Sequence, residues 1–372
     1  MSSLALRTDL AARLRIRSGA LPSVAIGFDG FVDEMIQLVS ERRNLEQFTP
    51  VPTIAAFGGL ISQAAGRSSL REIVVNGVHP GGCAVNMGDG LAALGVPVDA
   101  FATLGQPIHP AFADVLARFR SVHSWGREPG RTLAYEFQDG KLMFSSVTQL
   151  AELTAAKAGQ LLADGTYTAA CREARLIAIT DWTLYPHMTS VWRHLQREVY
   201  AKLTHRPSFF IDLVDPSTRA PEDIRAMLDT LHGFEAAGPL TLGLNGNEAN
   251  ILARLLGLPT SIEDTASATT LAVALRDRLG ISEVLVHYIK VAAVAGRDDT
   301  ASLLGPYCAR PNKSTGAGDR FNAGYALGRL LDLTPAECLA CGCATSGLFV
   351  RLARSPSLPE ITDYMISLDW SA

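Results

Sequence analysis

The chain has 372 residues, 48% of them hydrophobic, with 33 Lys and Arg against 37 Asp and Glu for a net charge of −4. This is material for one large α/β domain or two smaller ones, with no positive excess to hold nucleic acid. No run of 18 apolar residues occurs, so no membrane-spanning helix is indicated, and six cysteines without a disulfide framework fit a reducing cytoplasm.

The first predicted element is an exposed leading helix with Leu4, Leu6, Leu10 and Leu14 turned inward and Arg7, Arg13, Arg15 and Arg17 along it. It lacks the apolar segment of a secretory signal. Apolar, β-branched runs predict strands near 23–28, 98–104, 175–180, 208–214, 240–244 and 282–287, and 29–40 adds another. Helical patterns fall at 52–66, 84–94, 110–119, 187–203, 220–232, 247–256, 317–331 and 335–352. Their alternation predicts a mostly parallel sheet covered by helices on both faces. Residues 130–146 break it and read as a hairpin turning at Asp139-Gly140. Beyond its helix, the stretch 44–78 has no readable role. Cys338, Cys341 and Cys343 read as small buried residues of a packed helix rather than metal ligands. Neither a G-x-x-x-x-G-K-[ST] loop nor a G-x-G-x-x-G after the first strand is present, which disfavours P-loop and dinucleotide folds.

The most specific stretch is 313–324, Lys-Ser-Thr-Gly-Ala-Gly-Asp-Arg-Phe-Asn-Ala-Gly. A turn of small residues, Thr315 to Gly318, runs into a helix, and its amides with the helix dipole make an anion site. Asp319 follows at once. A carboxylate beside an anion site suits a general base, or it caps free N–H groups of the helix start. In 77–95, Gly81 and Gly82 allow close backbone approach, and Asn86 offers a donor and an acceptor; a plain strand-to-helix turn needs the same residues. Asn245-Gly246-Asn247-Glu248 has the spacing of a capping box. After the first strand, Asp29 and Asp33 are both candidates, with Asp29-Gly30 also reading as a tight turn. Asp215-Pro216 opens a turn ending at Arg219. Asp181 ends the strand LIAIT, and His187 begins a helix.

These blocks, in this order, resemble the ribokinase-like (PfkB) carbohydrate kinase family, whose signature is similar to D-T-T-G-A-G-D-x-F-x-x-G. Lys313 stands in place of its first acid and Ser314 in place of a threonine, while 315–324 match. The resemblance implies a single domain over 1–372: a three-layer α/β sandwich with a central, mostly parallel sheet and a small β lid from about 29–40 and 121–146. It implies Asp319 as catalytic base, with Gly316, Ala317 and Gly318 as the anion hole. Thr315, Gly316, Gly318 and Asn245 would meet the nucleotide, and Glu248 with Asn245 the magnesium network. Asp33, ahead of Asp29, would bind the acceptor with Gly81, Gly82, Asn86 and Asp181. The implied co-substrate is ATP with Mg2+. The acceptor would be a sugar or sugar-like alcohol, the location the cytoplasm, and a homodimer through the lid is among the assemblies allowed.

Two departures bear on the donor. The family's glycine-containing turn after the strand SEVLV is replaced by His287-Tyr288-Ile289-Lys290-Val291-Ala292-Ala293, and Asp33 follows Gly27 by six residues, as in ADP-dependent sugar kinases. Ala317 is the usual residue of ATP-using members and favours ATP. A nucleoside kinase, an ADP-dependent sugar kinase or a non-catalytic relative are the alternatives on this fold.

Overall fold

The computed structural model describes residues 3–17, 19–260, 264–367 and 370. The large sheet begins with β1 (Val24–Phe28), β5 (Val98–Ala102), β6 (Ser121–Ser124), β9 (Leu176–Thr180), β10 (Ser208–Asp212), β11 (Leu240–Asn245) and β12 (Glu283–His287). An antiparallel pair, β13 (Val291–Ala295) and β14 (Thr300–Leu304), completes the order β14-β13-β12-β11-β10-β9-β1-β5-β6. β1, β5 and β9 are buried along their whole length, which is why they read as unbroken apolar runs: helices cover both faces of a parallel sheet. The parallel register brings Asp212 beside Thr180 and Asn245 beside His287. The carboxyl edge of the sheet, where open α/β sheets hold ligands, therefore gathers the residues after β1, β9, β10, β11 and β12.

A smaller sheet rises from that edge. β2 (Phe31–Arg42) starts three residues after β1 ends and pairs with β4 (Ile73–Gly81), β7 (Gly130–Phe137) and, at its far end, β3 (Phe48–Pro50). β7 turns into β8 (Gly140–Ser146), with Phe137 opposite Gly140. The hairpin loop is thus Gln138-Asp139, one residue earlier than predicted. Two further expectations change. Residues 121–124 form the edge strand β6 of the large sheet and not part of the lid, because they pair in parallel with β5. The stretch 44–78 supplies β3, the helix Ile54–Ala64 and most of β4 to the small sheet.

The predicted helix at 110–119 is reduced to Ala113–Leu116 after a short turn. The helices Ala155–Leu161, Thr166–Glu173, Thr265–Leu279 and Leu358–Ser367 have no counterpart in the sequence reading. The leading helix Ser3–Ile16 packs on Leu358–Ser367 through Leu10, Ala11 and Leu14, while Leu4 is exposed. Arg7 is buried rather than outward: it donates to the Met365 carbonyl at 2.7 Å and stacks over Trp370. Among the described residues no helix is long and apolar enough to cross a membrane.

Below the site, the helices Ala317–Leu330 and Pro335–Leu352 lie in close contact. A Cβ on Gly324 would come within 2.5 Å of the Cys341 carbonyl oxygen, so the helix crossing depends on a missing side chain. Cys338 packs against Gly328 in this interface, and Cys341 and Cys343 are likewise small buried groups of the same helix. Gly58, in the exposed helix Ile54–Ala64, has open space around it. Gly324→Ala should therefore destabilise by about 1–3 kcal/mol through overpacking, whereas Gly58→Ala should stabilise by up to about 1 kcal/mol through helix propensity. Urea titration of both variants checks the opposite signs.

Candidate active site

Two helices begin at the carboxyl edge, and each start is tied to carboxylates. In the loop after β1, Asp29 accepts hydrogen bonds from the backbone N–H of Cys83, from that of Ala84 at 2.8 Å and from the Thr180 hydroxyl at 2.5 Å. It thereby caps the helix Cys83–Ala93, whose own N-cap residue, Gly82, offers no side chain. Gly82 has φ 96°, and a Cβ there would lie 2.9 Å from Asp29 Oδ2. Burial raises the Asp29 pKa, against these three hydrogen bonds.

The second helix, Ala317–Leu330, starts at Gly316 with φ 84°. Asp319 in its first turn accepts from Asn86 Nδ2 at 3.0 Å. Its pKa is pushed up to about 7, by burial first and by the charge of Asp212 second, with Arg320 and the Cys83 thiol pulling the other way. Asp212 closes β10 and accepts from the Val214 N–H and from Asn322 Nδ2 at 2.7 Å; burial raises it to about 6. Asp181 follows β9 with φ 57° and accepts from the Leu184 N–H, while its Oδ2 has no partner among the described residues. Burial, and then the charge of Asp29, push it well up.

Asn245 and Glu248 form a full capping box. The Asn245 side chain accepts from the N–H groups of Asn247 and Glu248, and Glu248 accepts from the Asn245 N–H and Nδ2 at 2.8 and 2.6 Å. Glu248 is buried, which, together with the charge of Asp212, raises its pKa well above the ordinary value. Asp215 caps a short turn and accepts from Asn247 Nδ2, while Arg219 donates to the carbonyls of Thr183 and Tyr185 and so fixes the loop after Asp181. His187 opens its helix without a side-chain cap.

The turn Ser314–Gly318 separates two cavities. On the lid side, a cavity of about 680 Å3 is lined by Asp33, His79, Asn86, Lys141, Lys313 and Thr315 among others. Asp33 lies on β2 between His79 of β4 and Thr132 of β7. Burial raises its pKa, while the Thr132 hydroxyl and the charges of Lys313, Lys141 and His79 hold it down. Gly81 makes room for it: a Cβ there would sit 2.6 Å from Asp33 Cγ. Lys141, on the lid hairpin, pairs with Glu136 and reaches Thr315 Oγ1 at 3.3 Å, so the lid touches the anion turn. Of the acceptor candidates, Asp33 and Asn86 line this cavity, and Asp29, Asp181, Gly81 and Gly82 do not.

The second cavity, about 560 Å3, is lined by Asn245, His287, Tyr288, Tyr307, Ala317 and Gly318 among others. His287 is half-buried at the end of β12 against Phe321, and desolvation pushes its pKa down to about 4. The Tyr288 ring occupies the space where Gly246 lacks a Cβ, and its hydroxyl donates to the Gly246 carbonyl at 3.3 Å. Side chains thus stand where the sequence departs from a glycine turn.

Asp212 and Lys141 were not legible as site residues, and of His287 the sequence showed only that a side chain stands where a glycine turn is usual. A carboxylate closing the apolar run SFFID was the one signal for Asp212. No group of three or more His, Cys, Asp or Glu able to hold a metal ion directly occurs among the described residues.

The raised carboxylates set a pH dependence. Asp319 at about 7 and Asp212 at about 6 stand above the ordinary 3.8, so the folded chain keeps protons that the unfolded chain has released. Their contribution to stability is complete below the unfolded value and is lost as pH rises through 6 to 7. Asp181 and Glu248 act in the same direction, while His287, held neutral, opposes as one group against several. Lowering the pH from 8 to 6 should raise the melting temperature of the ligand-free protein by roughly 2–6 °C. A fall over that interval, read by calorimetry, would contradict this account.

Comparison with known proteins agrees with this geometry. Residues 7–367 match the family model described as prokaryotic ketohexokinase. A ketohexokinase from Haloferax volcanii is 30% identical over 341 residues, covering 91% of this chain and 89% of the relative. Among solved structures, Arabidopsis thaliana ribokinase complexed with ribose and ATP superposes with a TM-score of 0.61 at 18% identity, covering 94% of this chain and 100% of the other. An E. coli protein described as a ribokinase II, in complex with ATP and Mg2+, gives a TM-score of 0.58 at 18% identity, covering 93% and 99%. With the large parallel sheet, the small lid and the amide-lined turn beside Asp319, the chain belongs to the prokaryotic ketohexokinase family, carbohydrate kinases on the ribokinase-like fold.

Proposed function

We propose that this chain moves the γ-phosphoryl group of ATP to a hydroxyl of a ketohexose, with Asp319 as general base. The observation that carries the reading is one carboxylate, held near neutrality, at an amide-lined turn between two cavities. A base is most effective with a pKa near the working pH. The amides of Gly316, Ala317 and Gly318 would hold the charge of the phosphoryl group in transit. In the lid-side cavity, Asp33 would accept from sugar hydroxyls and Asn86 would donate to them. Gly81 supports Asp33 by leaving it space, and Gly82 supports Asp29. Asp29 and Asp181 are assigned to the frame: Asp29 is committed to a helix start, and Asp181 to the Leu184 N–H in the loop after β9.

Thr315, at the mouth of the turn, and Asn245, on the wall of the second cavity, would meet the nucleotide. Magnesium fits as a hydrated ion. Mg2+ keeps several waters and binds through substrate phosphates and one or two carboxylates, and Glu248 with Asn245 would order those waters. The ion would supply charge neutralisation at the donor phosphates. Free cysteines and an ATP donor support a cytoplasmic location for the reaction. Exposed Val75, Val78, Met143 and Phe144 on the lid sheet support pairing of two copies through the lid.

The glycine-free stretch His287–Ile289 in the second cavity favours a second reading, with ADP as donor. Comparing kcat/KM for ATP and ADP, with fructose as acceptor and saturating magnesium, separates the two; a higher value with ADP overturns ATP. Asp319→Asn should lower kcat by about 10²–10⁴ with sugar affinity little changed. The wild-type kcat/KM should fall as pH drops through about 7, where the base becomes protonated. Near-normal turnover in a folded Asn variant would remove Asp319 from this role. Asp33→Ala should raise the acceptor KM by roughly tenfold or more while nucleotide binding holds. Asp29→Ala should instead lower the melting temperature, by the ~1 kcal/mol or more that a lost helix cap costs; exchanged phenotypes would exchange the two roles.

A further inference from the structure

The first turn of the helix Ala317–Leu330 carries one charge that the scheme above leaves unused. Arg320, the residue after Asp319, is 5% exposed. Its Nε donates to Ser355 Oγ at 3.0 Å and its Nη2 to Asp89 Oδ2 at 2.8 Å, and its guanidinium lies over the Phe349 ring at 4.6 Å. Asp89 is buried too, accepts from Ser355 Oγ at 2.6 Å, and pairs with Arg118 at 2.9 Å. This frame holds three sides of the guanidinium and leaves Nη1 buried without a hydrogen-bond partner.

An unpaired buried donor is costly, and native structures satisfy nearly all of them. The place of Nη1 supplies a reason for this one. It lies 2.7 Å from the point that a Cβ on Gly316 would occupy, and Asn86 Nδ2, the donor to Asp319, lies 3.4 Å from the same point. The free N–H therefore comes up beside the anion turn, on the side where the base and its amide partner sit. Its charge also acts on Lys313 in the wall of the lid-side cavity.

We propose that Arg320 is a catalytic residue of the phosphoryl transfer, donating from Nη1 to an oxygen of the phosphoryl group as it crosses the Gly316–Gly318 turn. In that step the bond from the donor's bridging oxygen to the γ-phosphorus breaks and the acceptor oxygen bonds to that phosphorus. The acceptor proton passes to Asp319, and the nucleoside diphosphate leaves. A guanidinium held by a carboxylate, a hydroxyl and a ring keeps one orientation throughout, so its stabilisation of the transferring group needs no reorganisation. This inference rests on the kinase reading given above and adds a buried guanidinium to a turn whose cations so far, Lys141 and Lys313, lie on the lid side.

The test uses the full chain with ATP, magnesium and fructose. Arg320→Met removes the donor while Arg118 still pairs with Asp89. The double variant Asp89→Asn/Arg320→Met also removes the buried carboxylate charge and so guards the fold. Both should lose kcat by about 10²–10³, the range for one preorganised donor, with the fructose KM within about threefold. Calorimetry should show the phosphorylated ketohexose product bound at least about tenfold more weakly and fructose bound as before. A purely structural role moves stability but not this difference between product and sugar. If the Met variants do not fold, Arg320→Lys, which keeps a cation without the planar fork, carries the same two measurements. Wild-type kcat and product affinity in a folded variant overturn the assignment of Arg320. Failure of the wild-type chain to phosphorylate any sugar would instead overturn the kinase reading, and this one with it.

Discussion

One short segment, Gly81 to Asn86, holds three carboxylates that arrive from three different elements. Gly81 makes room for Asp33 of the lid strand β2, the helix start after Gly82 is capped by Asp29, and Asn86 donates to Asp319. Each contact needs a different property: a missing Cβ, a left-handed φ, and a side-chain amide. Because β4 runs directly into this segment and pairs with β2, the lid, the large sheet and the helix that carries Asp319 are referenced to one point. Loss of any of the three contacts displaces a carboxylate relative to the other two.

The electrostatics follow from burial at that point. Five carboxyl groups crowd the edge of the sheet, and an anion must still approach them. Burial and mutual repulsion hold Asp181 and Glu248 well above the usual carboxylate range and bring Asp319 to about 7. The negative charge facing the turn is thereby reduced at neutral pH. The turn amides, with Lys141 and Lys313 on the lid side, supply the positive potential. A group that would repel phosphate if fully ionised can work as a base when its pKa is close to the pH.

The two cavities differ in how far the local chemistry departs from the family pattern. The lid-side cavity keeps Asp33 and Asn86 in its wall, while Lys313, in place of an acid, adds a cation beside them. The opposite cavity is shaped by His287 and Tyr288, where a glycine turn is usual. His287 stays neutral because it is desolvated without a charged partner, and Tyr288 closes over Gly246. The second cavity is therefore walled by side chains, and under the proposed function donor choice would turn on their shape more than on the turn itself.

Much of this was legible in the sequence because it is written within a few residues. The glycine turn and helix at 315–330, the capping box at 245–248, the alternation of strands with helices and the existence of a lid hairpin all depend on local backbone preference and hydrophobic period. Choosing between Asp29 and Asp33 did not. Both follow the same strand, and what separates them is that one meets amides 54 and 55 positions away while the other faces β4 and β7. The same holds for the pairing of Asn86 with Asp319 across 233 positions and of Asp89 with Ser355 across 266. The strand β4 went unread because it is largely exposed and shows no apolar alternation, and β13 because the turn 288–290 that joins it to β12 carries no glycine. Local conformation is set by the chain's own torsional preferences, so the sequence by itself determined the turns, the helix starts and most of the alternation of strands with helices. Burial, and with it the charge state of each carboxylate and the partner left to each donor, is set by what packs from afar, and that only the tertiary structure decided.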